Sequence, residues 1–131
     1  PNYTMAHFHL GRIFNEKGDS ESAEKSLRKA IDLNQNLSDL HSYLGTILEN
    51  NNQLEQAEFS YKKAKLLNPD LNFDLTFASL YLKKKDPKYA LILINRFLEN
   101  DKTNITALAY KTIALRGINK LKEAPNKPSK C

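Results

Sequence analysis

A shift of 34 residues lays the chain upon itself, carrying His7 to His41, Leu10-Gly11 to Leu44-Gly45, Ala23 to Ala57, Leu27 to Tyr61 and Ala30 to Ala64. Six positions in one register mark a duplicated unit. A unit of that length cannot bury an apolar face alone and must stack on copies of itself. Within the unit, His7, Leu10, Gly11 and Phe14 follow the i, i+3, i+4, i+7 spacing of one helical face, and Ala23, Leu27 and Ala30 follow i, i+4, i+7 on a second. Gly11, Gly45, Ala23 and Ala57 leave room for the two helices of a pair to approach. Phe14, Leu27 and Tyr61 are then expected to fill the spaces between units.

The breakers agree with this division. Only 4 Gly and 5 Pro occur in 131 residues. Gly18 reads as a helix C-cap, Asp19 or Ser20 as the next N-cap, and Asn68-Pro69 as a stop, because proline cannot continue a helix. A third unit departs from the pattern. Leu75, Ala78-Ser79 and Leu82 take its first-helix positions, and Ala90, Ile94 and Phe97 its second. Ser79 to Ala90 spans 11 residues where the earlier units span 12, so a turn one residue shorter is expected, with Asp86 as cap and Pro87 in the first helical position. A fourth first helix follows at Leu108, Lys111-Thr112 and Leu115, and Asn119 to Ala124 starts a further helix that Pro125 breaks. Seven helices are predicted, roughly 4–17, 20–33, 38–51, 54–67, 72–84, 87–100 and 104–117.

On these residues the chain resembles the tetratricopeptide repeat family, whose 34-residue pattern pairs a large residue, Leu-Gly and an aromatic on helix A with Ala, a large residue and Ala on helix B. Residues 38–71 match through His41, Leu44-Gly45, Leu48, Ala57, Tyr61, Ala64 and Pro69. Residues 4–37 match apart from His7 where Trp is usual and Gln35 where Pro is usual. Residues 72–104 form a third repeat and 105–124 a partial fourth or capping helix. Pro1 falls on the closing-proline position, so residues 1–3 read as the remnant of an earlier repeat and the chain as a fragment of a longer protein. Residues 125–131 are expected to be a disordered tail. The resemblance implies an all-α right-handed superhelix of stacked antiparallel helix pairs.

It also implies a binding role. The family's functional surface is a concave groove lined by helix A at the second, fifth, sixth, ninth, twelfth and thirteenth positions. Counting from Thr4, Ser38, Asn72 and Ile105, the candidate groove residues are Phe8, Arg12, Tyr43, Phe73, Phe77 and Tyr110, with Arg116 near one end. Chaperone-binding relatives hold a C-terminal carboxylate with a Lys/Asn/Asn/Lys/Arg set at five of these places. Here the five hold Phe8, Arg12, Tyr43, Phe73 and Phe77, so a chaperone-tail clamp is not expected. Aromatic anchors in a groove suit a peptide or helix of a partner protein, or a second copy of the chain.

The remaining features narrow the function class. Net charge is +5, but the lysines are dispersed, which argues against a nucleic-acid footprint. The densest run, Lys83-Lys84-Lys85, ends a predicted helix, where cations are favoured. His7 and His9 are two apart on a helix and face different ways, with no third ligand near, so no metal is expected. No nucleophilic set and no glycine-rich phosphate loop is present, so no catalysis and no cofactor are expected. Cys131, the only cysteine, rules out an internal disulfide. No apolar run approaches a membrane span, and the cytoplasm is the default compartment. The leading expectation is a protein-interaction scaffold; the alternative is the non-catalytic arm of a larger transferase or oxygenase.

Overall fold

The computed structural model describes residues 3–123. The expectations for Pro1, for the helix end at Ala124 and for the tail at 125–131 lie outside them. Among the described residues there are seven α-helices and no strand: α1 (Tyr3–Glu16), α2 (Ser20–Leu33), α3 (Ser38–Asn50), α4 (Leu54–Leu67), α5 (Asp74–Lys83), α6 (Pro87–Leu98) and α7 (Ile105–Glu123). The protein is an all-α helical repeat. It forms two compact units, one through Leu71 and one from Asn72 onward.

In the first unit α1 packs on α2, α2 on α3 and α3 on α4. Its core is Ala23, Leu27, Ala30, Leu44, Leu48, Ala57, Tyr61 and Ala64, which the repeat register selects, together with Leu40 and Ile47, which it does not; Leu10, on the same predicted face as Gly11, is 42% exposed. The small residues act as anticipated. A Cβ on Gly11 would collide with Leu27 Cδ2, and one on Gly45 would lie 2.6 Å from two atoms of the Tyr61 ring. Leu27 and Tyr61 therefore fill the space over the glycine of their own pair, rather than the space between units. The reason is geometric: a missing side chain opens a hole that the partner helix is best placed to occupy. The Tyr61 hydroxyl donates to the Glu49 carboxylate at 2.7 Å, which satisfies two polar groups that the packing buries.

The second unit is built from α5, α6 and α7 around buried Ala78, Ala90, Leu93, Ile94, Ala107 and Ala114. Leu75, Phe77, Tyr81, Phe97 and Tyr110 pack partly buried against that cluster. Asp86 caps α6 by accepting from the Tyr89 N–H at 3.2 Å, with Pro87 next to it in the first turn. Asp19 caps α2 likewise, accepting from the Ser22 N–H at 3.1 Å.

The inter-helix turns correct the expected register of the third repeat. In each pair the N–H after a left-handed residue donates to a carbonyl five residues back: Asp19 to Phe14 at 2.9 Å, Gln53 to Leu48 at 2.8 Å and Asp86 to Tyr81 at 2.9 Å. The left-handed residues are Gly18, Asn52 and Lys85, with φ of 83°, 63° and 67°. This is one helix-terminating motif used three times. The third turn is thus not one residue shorter. Gly11 to Ala23, Gly45 to Ala57 and Ala78 to Ala90 are all twelve residues apart. The missing residue lies in the connection between repeats, where Ala64 to Ala78 is fourteen residues against fifteen from Ala30 to Gly45. Phe77, not Ala78, therefore matches Leu44, and Tyr81, not Leu82, matches Leu48. Asp86-Pro87 can start a helix after a tight or a full turn, so it could not discriminate between the two.

The same displacement holds in α7. Ala107 and Ala114 are buried, whereas the expected interior residues Leu108 and Leu115 are 44% and 45% exposed. A second correction concerns its length. The helix expected to begin at Asn119 is the unbroken continuation of α7 to Glu123. Gly117 does not end the helix, because it lacks the positive φ of a stop. Its bare Cα instead admits Pro87, whose Cβ would lie 3.1 Å from a Cβ there. The following Asn119-Lys120-Leu121-Lys122-Glu123 contains neither Gly nor Pro to stop it.

Candidate ligand-binding groove

Helices α1 and α3 bring part of the expected groove together. Phe8 and Tyr43 meet edge to face, with ring centroids 5.7 Å apart and planes at 87°, the arrangement in which a ring's positive edge meets a negative face. The Arg12 guanidinium lies over the other ring, 5.8 Å from the Phe8 centroid. Asn15 Nδ2 donates to the Tyr43 hydroxyl at 3.1 Å and fixes the ring from the far side. These contacts follow from helical spacing: Phe8, Arg12 and Asn15 stand at i, i+4, i+7 on α1. Both rings remain half-buried and Arg12 is exposed.

Beside Phe8 a cleft of about 290 Å³ opens, lined by Met5, Phe8, Leu37, Ser38, Asp39 and Asn68. Met5, Phe8 and Asp39 are second- and fifth-position residues, so the repeat register locates it. Ser38 is the first residue of α3, and Leu37 and Asn68 come from the connections between helices, which a helix-face argument does not reach. Exposed Arg12 and Asp39 place opposite charges near one apolar ring pair.

The other three candidates are placed differently. Phe73 precedes α5 rather than lying within it and is only 6% exposed. Phe77 and Tyr110 stand, after the register correction, at the interior position of Leu44, and both pack against the core of their unit. Leu80, expected to face the groove, is fully buried. In the corrected register the groove positions of this unit become Asn72 before α5, Leu75, Thr76, Ser79, Leu82 and Lys83 on α5, and Ile105, Leu108, Ala109, Thr112, Leu115 and Arg116 on α7. None of them is aromatic, and the apolar ones are aliphatic. Arg96 spans the α5–α6 pair and donates to both Asp74 oxygens, at 2.7 and 3.1 Å. The carboxylate it bonds raises its guanidinium pKa above the ordinary value.

His41 is explained by packing. It is buried, and its Nε2 lies 2.9 Å from the Gln35 carbonyl, which can only accept, so Nε2 carries the proton. His7 is half-buried while His9 is exposed with its ring 5.7 Å from that of Phe8, so the two face apart. No helix among the described residues is long and apolar enough to cross a membrane.

Helix pairs joined by one repeated turn, with small residues at each crossing, define a helical-repeat scaffold. Family profiles of the tetratricopeptide repeat match residues 6–37 and 26–59. Within residues 6–59 the sequence thus matches tetratricopeptide repeats, and the described chain as a whole has an all-α helical-repeat fold. Solved structures share its fold. The first such domain of human RPAP3 superposes with a TM-score of 0.82 at 14% identity, covering 95% of this chain and 98% of that one. MamA from Desulfovibrio magneticus gives 0.80 at 18% identity, covering 94% and 70%. A tetratricopeptide repeat protein from Parabacteroides merdae gives 0.74 at 24% identity, covering 98% of this chain and 56% of its own. The Spaghetti (RPAP3) domain has also been solved bound to the HSP90 peptide SRMEEVD. No curated protein matches the chain.

Proposed function

We propose that the chain is a non-catalytic scaffold that binds a peptide or helix of a partner protein on the inner faces of α1 and α3, with Phe8, Tyr43 and Arg12 as its anchors. The observation that carries this is the ring pair itself: two half-buried aromatics and an exposed guanidinium beside an open cleft. Large, conformationally restricted rings of this kind supply most of the binding energy at protein interfaces. Arg12 offers a forked donor for a carboxylate, and Asp39 an acceptor for a cationic group. In the second unit the aliphatic positions Leu108 and Leu115 take the place of the aromatic anchors.

A carboxylate clamp of the chaperone-binding type is not favoured. With the corrected register its five places hold Phe8, Arg12, Tyr43, Asn72 and Thr76, of which only Arg12 is basic. A partner read by its apolar side chains fits better than one read by its terminal carboxylate.

The test is a peptide-array screen and pull-down with wild type and the Phe8→Ala, Tyr43→Ala double variant, each checked by circular dichroism. Loss of the bound peptide by a folded variant is expected. Retention of every partner by a folded variant would overturn the proposal.

A further inference from the structure

We propose a second binding site in the second unit: a cleft of about 350 Å³ that takes an acidic peptide segment presenting a large apolar side chain. The cleft exists because α7 does not turn back. At the equivalent place α3 ends at Asn50 and reverses through Asn52, whereas α7 runs on to Glu123. Its last turns then stand alongside the α5–α6 turn, with Gly117 close against Pro87 and an open space flanking that contact.

The floor and rim have different chemistry. Leu82 and Pro87 from one side, and Ile113 and Leu121 from the other, make the floor apolar, and Ile113 and Leu121 remain about half exposed at 49% and 48%. The rim is cationic: Lys85, Arg116 and Lys120 line it, and no carboxylate does. None of these three has an ion-pair partner among the described residues. The helix dipole accounts for Lys120, in the last turn of α7, and for Lys85, just past the end of α5, but not for Arg116. Lys85 also adopts the left-handed conformation that Gly18 and Asn52 supply in the other turns. Its side chain is thus held at the rim at the expense of backbone strain.

Charge complementarity selects the occupant. Three unpaired cations around an apolar floor fit carboxylates flanking one aliphatic or aromatic side chain. A nucleic acid fits poorly, because no aromatic ring lines the cleft to stack a base. Residues 124–131 carry Lys127 and Lys130 and no acidic side chain, so their charge opposes the rim.

The probe is a fluorescein-labelled peptide with Glu residues on both sides of a central Leu-Phe, titrated against the full chain by anisotropy and by amide chemical-shift mapping. Saturable binding is expected, with shifts centred on Ile113 to Leu121. Arg116→Glu with Lys120→Glu, both exposed changes, should weaken it by about tenfold or more, and a Lys-flanked version of the peptide should regain affinity for that variant. Replacing Leu-Phe by Ser-Ser should also weaken binding. Unchanged affinity in the charge-reversed variant, or no binding at millimolar peptide, would overturn the proposal. So would shifts at Phe8 and Tyr43 alone, which would support the α1–α3 groove instead, or binding confined to an oligonucleotide or to anionic vesicles.

Discussion

The ring of Tyr61 occupies the space that a side chain on Gly45 would need, its Cδ1 and Cε1 both 2.6 Å from the missing Cβ. Neither partner can yield easily, since Tyr61 is buried and its hydroxyl is bonded to Glu49. Gly45→Leu should cost on the order of 1–3 kcal/mol or more through overpacking, read as a lowered chemical-denaturation midpoint. A midpoint equal to that of wild type would show that α3 and α4 do not depend on this approach.

Phe77 and Tyr43 separate packing from binding. Phe77 lies against the Ala78–Ala90 core, so Phe77→Ala should destabilise by about 2–4 kcal/mol. Tyr43→Ala, on the half-open inner face, should lose peptide affinity at a smaller cost in stability. Equal destabilisation by both would mean that Tyr43 is as interior as Phe77.

Lys85 pays a conformational penalty that glycine would not. Its φ of 67° is the left-handed region, costly for a side chain bearing a Cβ. Lys85→Gly should raise stability by roughly 0.5–1 kcal/mol, the relief of strain outweighing the entropy that glycine adds to the unfolded chain. A drop in thermal midpoint would mean that the lysine side chain holds the turn in another way.

Asp19 sets an acid limit on α2. The Ser22 hydrogen bonds hold its carboxyl below the usual aspartate range. A depressed folded-state pKa stabilises fully above the unfolded value and is lost as pH falls through the folded one. Wild type should therefore lose stability relative to Asp19→Asn below about pH 4. Parallel pH profiles for the two proteins would show that the cap does not depend on charge.

Small residues made the fold legible. Gly11, Gly45, Ala23 and Ala57 mark helix crossings, and a crossing tolerates so few residue types that the pattern survives in the sequence. The candidate groove was legible only in the first unit, where Phe8, Arg12 and Tyr43 stand at uninterrupted register. Beyond Pro69 a single missing residue turned each helix face by about 100°, exchanging Phe77 for Thr76 and Tyr110 for Ala109. Leu75 and Leu82 are apolar at either register, so hydrophobicity alone could not detect the shift. The turn at Tyr81, Lys85 and Asp86 reveals it, because its hydrogen bonds count residues directly. The length of α7 was missed because Asn119 to Ala124 read as the start of a separate helix, whereas Gly117 serves as a contact with Pro87 and the helix runs on.

The constant twelve-residue interval from Gly11 to Ala23, Gly45 to Ala57 and Ala78 to Ala90 also bears on how fast the chain finds its structure. Each crossing is reached by closing a short loop, so little entropy is lost before the first favourable contact forms. Helices pack mainly on their sequence neighbours, and topologies of such low contact order fold in roughly microseconds to milliseconds. Refolding should be fast. Lengthening one connection, such as that after Pro69, should slow it little, because loop-closure cost grows only with the logarithm of length.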